Sequence, residues 1–74
     1  MSNLVDALIS KYKGEVQVAQ ANIDGFLNQP VGVADHPDMA DTLDGLVKKL
    51  NSAQEQLSTL QSLKEVKDKE FIVE

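Results

Sequence analysis

The chain has 74 residues, a hydrophobic content of 42% and a formal net charge of −5, so it has room for one small domain at most. It contains no arginine and its lysines are scattered, which argues against a phosphate-binding surface for nucleic acid or for an acidic membrane. The absence of cysteine excludes disulfides and favours a reducing compartment. The apolar runs are too short to span a bilayer and no secretion signal is recognisable, so the composition predicts a soluble, cytoplasmic protein.

The first predicted element is a helix over residues 3–28. Its apolar residues recur in alternating steps of four and three, the a/d pattern of helices that pack side by side. Asn3 is the expected N-cap, with Asp6 three residues on. The predicted seam residues of this helix are Val5, Ile9, Tyr12, Val16, Ala19, Ile23 and Phe26.

A turn over residues 29–37 contains Pro30, Gly32 and Pro37 and is the one strong break in the chain. A second helix is predicted over 38–69, with Asp35 or Asp38 as its N-cap. Its apolar residues follow the same alternating steps. The predicted seam residues of this helix are Met39, Leu43, Leu46, Leu50, Ala53, Leu57 and Leu60.

The two seams match when the chain folds back on itself in the turn. Facing residues of an antiparallel hairpin have numbers that add to a nearly constant value, and the two seams satisfy this from Phe26 and Met39 to Val5 and Leu60. Small residues also face large ones, as Ala53 faces Tyr12. The sequence therefore predicts an all-α chain, with residues 1–74 forming a single antiparallel two-helix hairpin.

Beyond Leu60 the seam stops, because lysines 64 and 67 take the next seam positions. Residues 64–74 are expected to overhang the hairpin, and whether they extend the second helix or fold back stays open. Apolar residues without a seam partner make up the candidate interaction surface: Leu63, Val66, Phe71, Ile72, Val73, Val31 and Val33. One two-layer hairpin buries little, so we expect self-association into a homo-oligomer, most simply a dimeric four-helix bundle.

Residues able to support chemistry are few. His36 is the sole histidine, and with Asp35, Asp38 and Asp41 it could hold a divalent cation only weakly, whereas capping already accounts for these acids. The acids of the second helix stand three apart, and a calcium loop needs them two apart. No serine lies in a nucleophile motif. We therefore expect no catalytic, cofactor-binding or metal-binding residue, and no enzymatic activity.

Residues 28–38, which read NQPVGVADHPD, are the most distinctive stretch of the chain. They resemble a segment of small helical-hairpin proteins encoded by tailed bacteriophages of aquatic bacteria, in which an Asn-Pro-Val-Gly turn and a His-Pro-Asp helix start join two helices. Gln29, between Asn28 and Pro30, departs from that pattern. The resemblance covers only this central segment. It implies a phage origin and expression in the cytoplasm of a bacterial host, and it brings no activity with it.

Three functions compete at this point. The leading hypothesis is a non-enzymatic interaction module that binds itself, and a host or phage protein, through the overhang or the flanking faces. The alternatives are a structural component of a virion, where many copies pack by symmetry, and a small metal-dependent regulator built on the acids around His36.

Overall fold

A computed structural model describes residues 2–29 and 38–73, and it describes the side chains of 3–29 and 38–66. It contains helix α1 at Ser2–Leu27 and helix α2 at Met39–Val73, packed against each other. The predicted all-α class and two-helix hairpin are thereby confirmed. The predicted turn lies outside the described residues except for Gln29.

Helix α1 begins one residue earlier than expected and ends one residue earlier. The prediction that Asn3 caps it is wrong: Asn3 lies inside the first turn, whereas an N-cap residue has non-helical dihedrals. At the other end the Asn28 amide donates to the Asp24 carbonyl at 3.1 Å, and the Gln29 amide donates to the Phe26 carbonyl at 3.3 Å. The second bond is the tighter 3₁₀ type that closes many helices.

Helix α2 starts with Asp38 in the N-cap position. The Asp38 carbonyl accepts a 2.9 Å hydrogen bond from the Thr42 amide, the first bond of the helical ladder. Asp41 lies in the first turn, where the helix dipole favours negative charge. The other cap candidate, Asp35, lies outside the described residues.

The C-terminal segment extends α2 instead of folding back. The helix continues to Val73, four residues beyond the predicted end at 69. The sequence after Pro37 contains no further proline and its last glycine is Gly45, so nothing stops the helix once it has started.

The residues that are shielded from solvent lie mainly in the seam between the two helices. All fourteen predicted seam residues are buried or half-buried, and among the other described side chains only Leu8 and Gly14 are not exposed. The most buried seam residues are Ile9, Ala19, Ala53 and Leu60. The hairpin is thin: its radius of gyration is 17.5 Å, against about 11 Å for a compact domain of this length.

Candidate interaction face

Several large apolar side chains remain in solvent. Their relative exposures are 65% for Leu4, 61% for Val18 and Leu27, 37% for Val47, 51% for Leu63 and 53% for Val66. With the seam at a and d of a seven-residue repeat, Leu4, Val18 and Val66 take position c, and Leu63 takes position g. Positions c and g lie on the same side of each helix, so these four residues share one long side of the hairpin.

The two helices contribute to that side together. An open groove of about 650 Å³ runs between them along the middle of the hairpin. We call the side of the hairpin that carries it, formed by positions c and g of both helices, the groove face. The groove is lined by Tyr12, Gly14, Glu15, Val18, Ala19, Lys49, Ser52, Ala53 and Gln56.

The groove exists because two seam residues in its lining are alanines. Ala19 and Ala53 are both buried, but their short side chains leave space that a leucine would fill. Charged groups stand along the rim: the Lys11 ammonium is 4.0 Å from a Glu15 carboxylate oxygen and 5.2 Å from the centre of the Tyr12 ring. The ammonium therefore has an acid and an aromatic ring within reach on its own helix.

The two ends of the groove face differ. At the open end of the hairpin, away from the turn, it carries Leu4, half-buried Leu8, Leu63 and Val66. At the turn end the same helical positions hold two glycines and two short polar residues, namely Asn22, Gly25, Thr42 and Gly45. Over residues 3–29 and 38–66, positions c and g therefore carry large aliphatic side chains at the open end and only small or polar residues near the turn.

The opposite side of the hairpin, formed by positions b and e, is mainly polar, and we call it the polar face. There a carboxylate oxygen of Asp6 lies 2.9 Å from the Lys64 ammonium and joins the start of α1 to α2. Asp44 belongs to this face and pairs with Lys48 at 3.1 Å within α2. Among the described side chains of this face, Leu27 and Val47 are the large apolar ones. Leu27 lies at the turn end and Val47 lies further along the hairpin, level with Val18 of α1.

The predicted interaction surface is only partly described. Leu63 and Val66 are exposed on the groove face. The backbone of Phe71, Ile72 and Val73 continues α2, whereas their side chains, and the whole of Val31 and Val33, lie outside the described part of the chain. Lys64, the first residue of the predicted overhang, still reaches α1 through Asp6.

The sequence reasoning missed Val18 and the groove, and it did not join Leu4 and Leu8 to Leu63. The signal was a second set of residues at steps of four and three, one position before the seam. In α1 that set runs Leu4, Leu8, Lys11, Glu15, Val18, Asn22 and Gly25. Its middle is charged and its last two residues are not aliphatic, which hides the pattern from a search for continuous apolar stripes.

Among residues 2–29 and 38–73, no three His, Asp or Glu side chains come together in a way that could hold a metal ion. His36 lies outside those ranges. Neither α1 nor α2, over the residues searched, is long and apolar enough to cross a membrane.

Comparison with known proteins assigns no family. The sequence matches no protein-family model, and neither a curated protein nor a solved structure is significantly similar to it. The hairpin and its exposed faces are therefore the basis on which a function is proposed.

Proposed function

We propose that this protein is a non-enzymatic protein–protein interaction module, a helical hairpin completed by association with a further protein surface. The observation that carries the proposal is the incomplete burial of the seam. Ten of its fourteen residues are only half-buried, while several large aliphatic side chains outside it are exposed. Apolar surface of this extent on so small a chain is typical of an interaction site.

Burial energetics support the same proposal. Covering an aliphatic side chain completely stabilises it by roughly 1.5–3 kcal/mol relative to full exposure, so half-buried seam residues retain part of that gain. A partner that binds only the folded hairpin would supply the rest and stabilise the fold by mass action.

The setting of the proposal comes from the resemblance of residues 28–38. It implies a phage-encoded protein expressed in the host cytoplasm. The proposal places in that setting a hairpin that binds itself and engages a host or phage protein. The groove face and the C-terminal end of α2 are the two contact regions the proposal uses.

Solution mass across a concentration series, measured by light scattering with helicity recorded in parallel, tests the proposal. The expected result is a dimer or larger species whose helicity falls as dilution dissociates it. A fully helical monomer that stays folded on dilution would overturn the proposal, because the hairpin would then be stable without a covering surface. Exchanging Phe71 and Ile72 for Asp in the same assay separates the end of α2 from the groove face.

A further inference from the structure

We propose that a second copy of this chain packs on the groove face with the two hairpins antiparallel, so that α1 lies on α1 and α2 on α2. The inference rests on the proposed function and names its partner and its surface. The product is a four-helix bundle with a two-fold axis across the middle of the groove.

Side-chain size favours the antiparallel orientation. Leu4, Leu8 and Leu63 crowd the open end, whereas Gly25 and Gly45 leave the turn end low. Antiparallel copies set the large end of one on the small end of the other and keep the two layers evenly spaced. Parallel copies would set leucine on leucine at one end and leave a gap over the glycines at the other.

Charge then selects the register. One register places Lys11 against Glu15 of the second copy, twice by symmetry, and both side chains are about half exposed within the single hairpin. A shift by one step places Lys11 against Lys11 or Glu15 against Glu15, and such like-charge contacts are strongly unfavourable at an interface. The α1 part of the groove face is therefore complementary in charge to its own copy in the register that pairs Lys11 with Glu15.

The same register fills the groove and extends along both helices. Leu8 of the second copy comes level with Val18 and Ala19, at the end of the groove where small side chains leave room. Leu4 of the second copy comes level with Asn22, whose short side chain keeps its amide at the edge of the contact.

The pairing on α2 is consistent with that register. Gln56 meets Lys49 of the second copy, and Leu63 meets the shorter Thr42. Ser52 lies close to the axis and meets its own equivalent. No like charges face each other in these pairs, so α2 accepts the register that the charges of α1 select.

The hairpin also has the surface that such a dimer needs. Its accessible area is 5846 Å² for 8.1 kDa, about 1,300 Å² more than a compact monomer of that mass exposes. A stable interface of ordinary size covers roughly 800 Å² of each partner. Covering the groove face would therefore remove more than half of this excess area from each chain.

The charge register can be tested by mixing two variants, Lys11→Glu and Glu15→Lys, in sedimentation equilibrium. Each variant alone carries two like charges that face the same two charges of its copy, so its dimer dissociation constant should rise at least about tenfold. An equimolar mixture pairs opposite charges and should restore a mixed dimer to within about threefold of the wild-type constant. Each chain keeps its internal like-charge pair in the mixture, so recovery cannot come from repair within one helix.

The outcomes separate this inference from the proposed function. A wild-type dimer with no recovery in the mixture overturns the antiparallel arrangement and leaves self-association standing. In a parallel dimer, Glu15→Lys would meet Lys49 of the second copy and the mixture would stay weak. A wild-type chain that remains a folded monomer overturns both.

A crosslink gives an independent readout, because the chain has no cysteine of its own. At ordinary helix separations the two Ser52 Cα atoms come about 6 Å apart, within the range of a disulfide. Ser52→Cys should therefore form a disulfide-linked dimer under mild oxidation. Ser58→Cys, on the polar face of the same helix, is the matched control and should stay monomeric on a non-reducing gel. Equal crosslinking of the two variants, or none at Ser52→Cys, would overturn the proposal.

Discussion

The two long faces of this hairpin are built on the same seam from the same repeat, yet they differ in what they leave uncovered. The groove face exposes Leu4, Val18, Leu63 and Val66, and the polar face is tied across by the Asp6–Lys64 ion pair. A hairpin surrounded only by water would not be stabilised by exposing more aliphatic side chains on one face than on the other. Under the proposed function, the groove face is the one that a second protein surface covers, and the polar face is the one that stays in solvent.

Two leucines of α2 that lie one turn apart differ in the same way. Leu60 is 9% exposed in the seam, whereas Leu63 is 51% exposed on the groove face. The two leucines therefore probe different surfaces. Leu60 probes the seam inside the hairpin, and Leu63 probes the groove face on its outside.

The largest expected effect comes from exchanging these two leucines for alanine. Leu60→Ala should lower the free energy of unfolding by about 2–4 kcal/mol, the usual cost of a cavity at a buried leucine. Leu63→Ala should cost less than about 1 kcal/mol in a hairpin whose groove face is bare. Chemical denaturation at one fixed protein concentration measures both. A loss at Leu63 as large as that at Leu60 would show that the groove face is buried in solution.

A smaller effect is expected from adding one charge to either face. Val18→Glu and Gln17→Glu add the same charge at adjacent positions, and both residues are exposed in the single hairpin. Val18→Glu buries a carboxylate if the groove face is covered and should weaken self-association at least about tenfold, whereas Gln17→Glu should change it by less than about twofold. Sedimentation equilibrium measures both constants. If both substitutions changed the self-association constant equally, the groove face would not be the covered face.

The seam and the hairpin could be predicted from the sequence because they are set by local periodicity and one turn. Steps of four and three place Ile9, Ala19 and Leu60 on a buried stripe whatever the partner is, and the prolines fix where the chain reverses. The groove face was harder to predict from the sequence. It depends on the size of side chains from both helices, because the groove appears only where Ala19 and Ala53 lie beside Val18 and Ser52.

The end of α2 could not be predicted for a related reason. Charged residues after Leu60 end the apolar seam, but the end of a seam is a poor guide to the end of a helix. Lys64 shows why the two differ, since it leaves the apolar seam and still contacts α1 through Asp6. The helix continues to Val73 after the apolar seam has ended.

Two glycines give a smaller contrast, between the outer edge of the groove and the groove face itself. A Cβ added at Gly14 or Gly45 meets nothing within 4 Å, and neither glycine has a positive φ. Each exchange for alanine should therefore stabilise a bare hairpin by about 0.4–1 kcal/mol. Gly14 borders the groove from repeat position f, the position furthest from the seam, whereas Gly45 lies at position c of the groove face. Thermal unfolding that shows a smaller gain at Gly45 would indicate a close neighbour there. Equal gains would place both in solvent.

The polar face should give the smallest effect, and the Asp6–Lys64 pair measures it. Both side chains are about half exposed, so a double-mutant cycle with Asp6→Asn and Lys64→Met should yield a coupling of about 0.2–1 kcal/mol that falls as salt is added. The Asp44–Lys48 pair, which lies within one helix, is the control and should couple by about 0.3–0.5 kcal/mol. Charges screened by water cannot couple strongly. An Asp6–Lys64 coupling well above about 2 kcal/mol and insensitive to salt would therefore mean that the polar face is also shielded from solvent, and the contrast between the two faces would be lost.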